Sequence, residues 1–256
     1  MDLDLTGRTV VVTGASSGVG LATAKMLIAE GANVAACARD ADRLKTAFDG
    51  LPVHLGTCDV LDESAVQDFV AQAAEAFGGI DGVVNNAGRS LMARLSETED
   101  RQWREELELK IFSVLHVVQA AQPWLRESAA ASVVNVNAIL ARQPEARLAA
   151  TSAARAALLN LTKTLSGELA ADGIRVNSVC LGLIDTGQWR RRYEASESTL
   201  DFDAWSAELA ADRGIPLGRL GTADEVAFPI VSLLSPRASY VTGSAIDVGG
   251  GIARYL

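Results

Sequence analysis

The sequence has few of the residues that build metal centres and disulfide frameworks. Its 256 residues include three cysteines, Cys37, Cys58 and Cys180, and two histidines, His54 and His116. The cysteines lie far apart among apolar residues and form no C-x-x-C pair, and the histidines are isolated. These patterns argue against a zinc site or a disulfide scaffold, and we expect no metal cofactor.

Basic residues and long apolar runs are also scarce. Asp and Glu outnumber Lys and Arg by 32 to 23, which gives a net charge of −9. A nucleic-acid-binding protein normally has a basic surface, so we expect no nucleic-acid partner. No apolar run reaches the roughly 18 residues that span a bilayer, and the acidic N-terminus does not have the pattern of a signal peptide. We therefore expect a cytoplasmic protein that does not bind membranes.

Apolar residues are abundant, and they are arranged in short segments. They make up 49% of the chain, which suffices for a large core, and no Pro- or Ser-rich linker divides the sequence. Short β-rich runs alternate with amphipathic stretches of helical period. The predicted strands are Arg8–Thr13, Asn33–Cys37, Val53–Cys58, Gly82–Asn85, Ser132–Asn137, Ile174–Cys180 and Ala245–Val248. The main predicted helices are Val19–Glu30, Ser64–Phe77, Trp103–Arg126 and Ala149–Ala171.

This alternation predicts the fold class. Continuously apolar strands such as TVVVT are typical of parallel strands that are covered on both faces. We predict an α/β protein with a doubly wound, seven-stranded parallel sheet, helices on both faces, and a single domain over residues 1–256. A polar, Arg-rich segment at about residues 185–213 breaks the alternation after a strand. We predict that it forms a lid over an active site, the alternative being a solvated helical excursion.

A glycine-rich turn follows the first predicted strand. The segment Thr13–Gly20 reads TGASSGVG and leads directly into a helix. Its glycines permit a tight turn and the close approach of a pyrophosphate, and the free N–H groups of the following helix favour an anion. We predict that the turn binds a dinucleotide through Thr13, Gly14, Ser16, Ser17, Gly18, Val19 and Gly20.

The end of the second strand predicts which dinucleotide is bound. In such folds a residue about 20 positions after the turn contacts the adenosine ribose, and an acidic residue there selects NAD(H). Here Ala38 is followed by Arg39, which can pair with a 2′-phosphate, so we predict that NADP(H) is preferred. NAD(H) is possible through Asp40, although that side chain also fits the N-cap of a helix that starts at Ala41.

Further motifs run along almost the whole chain: besides Thr13–Gly20, they are Cys58-Asp59-Val60, Asn85-Asn86-Ala87-Gly88, Ile174-Arg175-Val176-Asn177, Val241-Thr242-Gly243 and Gly249-Gly250-Gly251. In these motifs the chain resembles the short-chain dehydrogenase/reductase family. The resemblance implies a Rossmann fold, and a homotetramer or homodimer packed through the helices Trp103–Arg126 and Ala149–Ala171 and through the C-terminal strand. The further cofactor-binding residues that the resemblance implies are Asp59, Val60, Asn86, Ala87, Gly88, Arg155, Gly182, Ile184 and Thr186.

The catalytic positions differ from those of the family. Its reductases use an Asn, a Ser, a Tyr and a Lys, of which the Tyr transfers the substrate proton. When the chain is aligned on the flanking motifs, Lys110 stands at the Asn, Ala138 at the Ser, Thr151 at the Tyr and Arg155 at the Lys. The motifs for the cofactor are therefore kept while all four catalytic identities are changed.

The replacements predict a rearranged polar centre made of Lys110, Thr151 and Arg155. Thr151 and Arg155 are four residues apart on one predicted helix and share a face. The Thr hydroxyl is much less acidic than a phenol, and Arg155 keeps its charge. Lys110, one of only four lysines, is expected to face Arg155 across the pocket, where it can act as a general acid. The alternative is that Lys110 forms an ion pair with Glu106 or Glu108.

Other residues are candidates for contact with the substrate. Ala138 lies at the altered Ser position, and Gln143 and Glu145 follow it in the loop before Thr151. On the predicted lid, Trp189 and Arg190 belong to a basic aromatic run that can clamp an anionic substrate. The alternatives are a solvated carboxylate at Glu145 and a solvated basic run on the lid.

These features together predict an NADP(H)-dependent oxidoreductase with a non-standard catalytic centre. The expected reaction moves a hydride between the cofactor and a small molecule that carries a carbonyl or alcohol group. Two alternatives stay open because a fold does not fix a function. One is a non-redox enzyme, such as a cyclase, dehydratase or isomerase, that reuses the pocket. The other is a cofactor-binding pseudoenzyme that acts as a sensor or as a partner subunit.

Overall fold

The computed structural model of the chain describes residues 2–255, and within them one sheet of seven parallel strands forms the centre of the molecule. The strands are β1 (Thr9–Thr13), β2 (Asn33–Ala38), β3 (His54–Thr57), β4 (Gly82–Asn85), β5 (Ser132–Ala138), β6 (Arg175–Leu181) and β7 (Ala245–Val248). Their order across the sheet is β3-β2-β1-β4-β5-β6-β7. The chain reverses direction across the sheet between β1 and β4, which is where such folds bind their ligands.

Helices cover both faces of this sheet. They are α1 (Gly18–Ala29), α2 (Ala41–Ala47), α3 (Glu63–Phe77), α4 (Asp100–Leu107), α5 (Ser113–Glu127), α6 (Ala149–Glu168), α7 (Gly187–Glu194), α8 (Phe202–Asp212) and α9 (Ala223–Leu234). The predicted class, a single-domain doubly wound α/β fold with seven parallel strands, is confirmed.

The central strands are apolar because each of their faces packs against a separate core. In β1 all five residues are buried. Val11 lies with Val83 and Val133 in the core that contains α3 and α5, whereas Val12 lies with Val84 in the core under α1 and α9. Successive side chains of a strand point to opposite faces, so β1, which is covered on both faces, does not alternate between apolar and polar residues.

The predicted helix Trp103–Arg126 is interrupted in the structure. A π-helical turn, Glu108–Phe112, separates α4 from α5, and Lys110 lies within it. Such a turn leaves helical periodicity almost unchanged on either side, so an apolar pattern does not reveal it. π-Helical turns inside α-helices are frequent at functional sites.

The segment that we predicted as a lid folds into α7 and α8. Four aromatic rings hold these helices together: the Tyr193 ring lies 5.4 Å from that of Phe202 and 5.5 Å from that of Trp205, and Trp189 lies beside Trp205. The pair of helices has its own aromatic contact, and Trp189 and Ala210 also pack in a small core with Cys180 of β6. Its role as a lid stays a prediction.

Candidate active site

A long cleft of about 1200 Å³ opens at the carboxyl ends of the strands. It runs from the glycine-rich turn after β1, past the ends of β4 and β5, to α7. Pockets for small molecules measure roughly 300–1,000 Å³, so this cleft has room for a dinucleotide and a second molecule together. The predicted cofactor residues that line it are Gly14, Ser16, Ser17, Val19, Arg39, Asp59, Val60, Asn86, Ala87, Gly88, Arg155, Gly182, Ile184 and Thr186.

The glycine-rich turn leaves the start of α1 open to the cleft. Gly14 has a φ of 65°, which places it in the left-handed region. A Cβ on Gly20 would lie 2.4 Å from Nδ2 of Asn86 and 2.6 Å from the carbonyl oxygen of Gly14, so only glycine fits there. In the described chain the side chain of Ser17 makes no capping hydrogen bond to α1. The first N–H groups of α1 can therefore bind a phosphate.

Three residues that we predicted as cofactor ligands shape the turn from outside the cleft. The Oγ1 of Thr13 accepts hydrogen bonds from the N–H groups of Asn86 and Ala87, each at 3.0 Å. Asn86 in turn donates Nδ2 to the carbonyl oxygens of Thr13 and Gly14, at 3.0 and 3.1 Å. Thr13, Gly18 and Gly20 are not among the lining residues, and their contribution is to hold the turn in place.

The adenosine end of the cleft has two arginines and a carboxylate that is already engaged. Arg39 is exposed at the end of β2, and Arg43 lines the same wall. The Oδ1 of Asp40 accepts the N–H of Arg43 at 3.0 Å, so this carboxylate caps α2. Our sequence reasoning missed Arg43, although its position four residues after Arg39 is a usable signal.

At the other end of the cleft, polar side chains are hydrogen-bonded to the buried carboxylate of Glu106. Its Oε2 accepts a hydrogen bond from Oγ1 of Thr151 at 2.6 Å and one from Nζ of Lys110 at 3.1 Å. Lys110 also donates Nζ to the carbonyl oxygen of Arg89 at 2.8 Å. The side chains of Glu106 and Lys110 are only 3% and 2% exposed, yet Glu106 lines the cleft.

The expectation that Lys110 faces Arg155 across the pocket is not met. Lys110 and Thr151 lie behind Glu106 and do not line the cleft. A buried ammonium needs a partner, and the nearest carboxylate is that of Glu106, four residues earlier on the same helical face. The ion pair that we considered as the alternative is therefore the arrangement in the structure. Burial and, after it, the charge of Arg155 lower the pKa of Lys110, Glu106 opposes both effects, and the net pKa is about 8.

Arg155 reaches the cleft from α6. Its Nη1 donates to the carbonyl oxygen of Val136 at 2.7 Å, and its own carbonyl oxygen accepts Nδ2 of Asn137 at 3.1 Å. Burial lowers the pKa of Arg155, but a guanidinium keeps its charge in proteins. Within residues 2–255 its Nε is buried without a hydrogen-bond partner. Ala138, beside it, lines the cleft with only a methyl group.

The predicted substrate residues are divided between cleft and surface. Gln143 and Glu145 line the cleft: Gln143 accepts the N–H of Arg254 at 2.8 Å, and Glu145 forms an ion pair with Arg213. Trp189 also lines the cleft. Arg190 does not, because its Nη2 pairs with Oδ2 of Asp185 at 2.6 Å.

Arg192 takes the place that we predicted for Arg190. Its guanidinium lies 4.4 Å from the centre of the Trp189 ring, and both side chains line the cleft. Residues three apart share a helical face, whereas adjacent residues do not. The basic run on α7 therefore presents Arg192 to the cleft and Arg190 to solvent.

Two features are absent from the described residues. No group of three or more His, Cys, Asp or Glu side chains in the described part of the chain could hold a metal ion. Between residues 2 and 255, no helix has both the length and the apolar character that crossing a membrane requires.

The sequence and the fold of the chain are similar to those of known proteins. A family model described as enoyl-(acyl carrier protein) reductase matches residues 14–253. A short-chain type dehydrogenase/reductase of Sinorhizobium fredii, itself uncharacterized, is 34% identical over 97% of this chain and 98% of its own. The chain belongs to the short-chain dehydrogenase/reductase family. The 3-oxoacyl-(acyl-carrier-protein) reductase of Thermotoga maritima is 33% identical over 97% of this chain and 98% of its own.

Solved structures of the short-chain dehydrogenase/reductase family agree with this membership. A short-chain oxidoreductase of Pseudomonas aeruginosa PAO1, described as containing an atypical catalytic center, is 46% identical, and its NADPH-bound structure has a TM-score of 0.93 over 99% of both chains. The L-sorbose reductase of Gluconobacter frateurii, solved with NADPH and L-sorbose, is 32% identical with a TM-score of 0.95 over the full length of both chains. The family resemblance that the motifs predicted is thereby confirmed.

Proposed function

We propose that this protein transfers a hydride between NADP(H) and the carbon of a carbonyl or alcohol group. The observation that carries the proposal is the continuity of the cleft, which joins an intact phosphate-binding turn to a buried carboxylate and a guanidinium at its far end. Membership in an oxidoreductase family and the NADPH bound to two similar proteins support it.

The residues present fit the cofactor. The open N-terminus of α1 suits the pyrophosphate, and Arg39 and Arg43 suit a 2′-phosphate because Asp40 is engaged as a helix cap. Thr186 and Arg155 line the nicotinamide end, where Arg155 can donate to ribose hydroxyls. When bound, the cofactor supplies or accepts the hydride.

The side chains at the far end handle charge and the proton. The guanidinium of Arg155 stabilises the negative charge that develops on the substrate oxygen during reduction. The carboxyl of Glu106 then gives that oxygen its proton, which Nζ of Lys110 passes to Oε2 along their 3.1 Å hydrogen bond. Thr151 fixes the carboxyl by donating to the same oxygen. In this scheme Glu106 and Arg155 act on the substrate. Thr151 positions Glu106, and Lys110 supplies it with the proton.

One observation favours a second candidate, a cofactor-binding protein that does not reduce carbonyl groups. The hydroxyl of Thr151 points to Glu106 instead of the cleft, and Ala138 offers no hydrogen bond to a substrate. Such a protein would bind NADPH and act as a sensor or reuse the pocket for non-redox chemistry.

Turnover with NADPH deuterated at C4 separates these functions. We expect oxidation of NADPH by at least one member of a ketone and aldehyde panel, with a primary deuterium isotope effect when the transferred hydrogen is labelled. Tight NADPH binding without turnover over the whole panel would favour the second candidate.

Calorimetry with the two cofactors tests the choice of NADP(H). We expect NADPH to bind more tightly than NADH, and Arg39→Ala to remove roughly 1.5–3 kcal/mol of that preference, the range for hydrogen bonds to a charged group. Lys45→Ala is the control, because Lys45 is an exposed cation on α2 that does not line the cleft. Equal affinities for NADPH and NADH in the unaltered protein would contradict the assignment.

A further inference from the structure

The substrate end of the cleft has a guanidinium that no carboxylate neutralises. Arg192 is half-buried on α7 and lies over the face of Trp189, with both side chains lining the cleft. Within residues 2–255, Arg192 takes part in no ion pair. A half-buried charge of this kind gains most from an anionic partner.

The neighbouring charges add to the positive potential. Arg213 lines the cleft and is paired with Glu145. Arg147 is exposed and has its guanidinium 3.6 Å from the sulfur of Met92. Burial, and then the charges of Arg213 and Arg147, lower the pKa of Arg192. Glu145 is thus paired with Arg213, while Arg192 and Arg147 form no ion pair within the described residues.

The facing wall has the same imbalance. Arg89 and Arg101 both line the cleft and both pair with Glu105, at 3.3 and 2.7 Å. Two arginines therefore share one carboxylate there. Glu106 on the same wall is paired with Lys110, so one cation more than the carboxylates remains there and adds positive potential to the cleft.

We infer that the substrate is an anionic carbonyl compound, whose carboxylate or phosphate group binds Arg192 while its carbonyl group lies at Glu106 and Arg155. The inference rests on the proposed function and adds the class of its substrate. It differs from a basic run that is merely solvated, because Arg190 and Arg191 of the same run lie outside the cleft.

The geometry of Arg192 suits this role. A guanidinium presents two parallel N–H groups to a carboxylate or a phosphate, which an ammonium does not. Its position over the Trp189 ring restricts its plane before the anion arrives, so less side-chain freedom is lost on binding. A neutral substrate forms no ion pair with Arg192, so this side chain would not favour its binding.

Matched substrate pairs test the inference by turnover. The pairs are a 2-oxo acid with its methyl ester, and dihydroxyacetone phosphate with dihydroxyacetone, each measured at constant ionic strength. In the unaltered protein we expect the anionic member of one pair to have the higher kcat/KM. The pair that shows this preference distinguishes a carboxylate substrate from a phosphate substrate.

Two variants of neighbouring residues assign the preference to Arg192. Arg192→Gln should lower kcat/KM for the anionic member about 10- to 100-fold, as for loss of a hydrogen bond to a charged group, and leave the neutral member unchanged. Arg191→Gln removes the same charge from the same helix, but Arg191 is exposed and does not line the cleft. We expect it to behave as the unaltered protein.

A binding measurement keeps the test independent of turnover. Succinate and inorganic phosphate are titrated against the NADP⁺-saturated protein while tryptophan fluorescence is recorded. A saturable change with one of these anions in the unaltered protein and in Arg191→Gln, absent in Arg192→Gln, supports the anion site even if no carbonyl compound is reduced. Absence of saturable binding, equal binding by Arg192→Gln, or preference for the neutral substrates would overturn the inference.

Discussion

The two ends of the cleft are built from different parts of the chain. The phosphate end is made of backbone: glycines, the N–H groups of α1, and the bonds by which Thr13 and Asn86 hold the turn. The far end is made of side chains, with Glu106, Lys110 and Thr151 hydrogen-bonded to one another. A backbone site tolerates few substitutions because its shape depends on glycine, whereas a side-chain site can be rebuilt by a few replacements.

The two ends also differ in how much folding free energy is lost when one of their polar groups is removed. At the far end the charges of Glu106 and Lys110 are almost completely buried. Removing one partner of a buried ion pair costs about 3–5 kcal/mol, because the other charge is left without compensation. We therefore expect activity and folding stability to be coupled at this end.

The largest effect is expected for Glu106→Gln. If Glu106 delivers the proton, this variant should lose on the order of 10²–10⁴ in kcat, the usual contribution of general acid catalysis. NADPH affinity should stay the same, since the phosphate end is untouched. Steady-state kinetics and calorimetry on the same preparation measure both quantities.

Two controls separate catalysis from folding in that experiment. Glu105→Gln removes the adjacent carboxylate, which pairs with surface arginines, and should keep kcat. The double variant Glu106→Gln, Lys110→Met removes both charges of the ion pair, so it should recover part of the lost Tm without recovering kcat. A Glu106→Gln variant with full turnover would show that another group supplies the proton.

Much of this comparison could be predicted from the sequence. The glycine spacing, the strand–turn–helix context and Arg39 identify the phosphate end, because backbone conformation there depends directly on residue type. The seven strands were predicted to within one residue at each end, because a strand that is buried on both faces, such as β1, is largely apolar. The family membership followed from motifs that lie at this end and in the core.

For the far end, the sequence predicted which residues are present but not how they are arranged. Alignment placed Lys110, Thr151 and Arg155 near one another, but not Glu106, which aligns with none of the family's four catalytic positions. The π-helical turn and the burial of Lys110 decide which way its ammonium points, and both depend on tertiary packing. On α7, by contrast, helical spacing alone would have favoured Arg192 over Arg190 as the partner of Trp189.

Restoring the family's four catalytic residues tests the same comparison at the far end of the cleft. The quadruple variant is Lys110→Asn, Ala138→Ser, Thr151→Tyr, Arg155→Lys. Its new Tyr must fit where Thr151 is fully buried, with Oγ1 only 2.6 Å from Oε2 of Glu106. We expect overpacking to cost about 1–3 kcal/mol in the free energy of unfolding, in addition to about 3–5 kcal/mol for leaving the buried Glu106 without Lys110. Adding Glu106→Ala should recover that stability and permit reduction of simple ketones. Full stability of the quadruple variant, measured by denaturant titration, would show that Glu106 does not occupy the space the Tyr needs.

Two glycine substitutions test the shape of the glycine-rich turn, and their expected effects on stability are smaller. Gly20→Ala places a Cβ against Asn86 and Gly14, and we expect about 1–3 kcal/mol of destabilisation and weaker NADPH binding. Gly167→Ala, in α6, meets no atom within 4 Å and should stabilise the protein by roughly 0.5–1 kcal/mol. Thermal unfolding and calorimetry measure both. Equal responses at the two positions would contradict a turn shaped by close backbone contacts.

The pH dependence of carbonyl reduction tests most directly whether Lys110 and Glu106 supply the proton. The pKa of Lys110 is about 8, so above that pH the pair has lost the proton that it must deliver. Reduction should be constant below about pH 8 and fall about tenfold per pH unit above it, while alcohol oxidation rises over the same range. Lys110→Met, and Lys110→Arg, which keeps the ion pair, should both lose this inflection. An unaltered protein whose reduction rate does not change between about pH 6 and 10, or an inflection retained in both variants, would contradict the account.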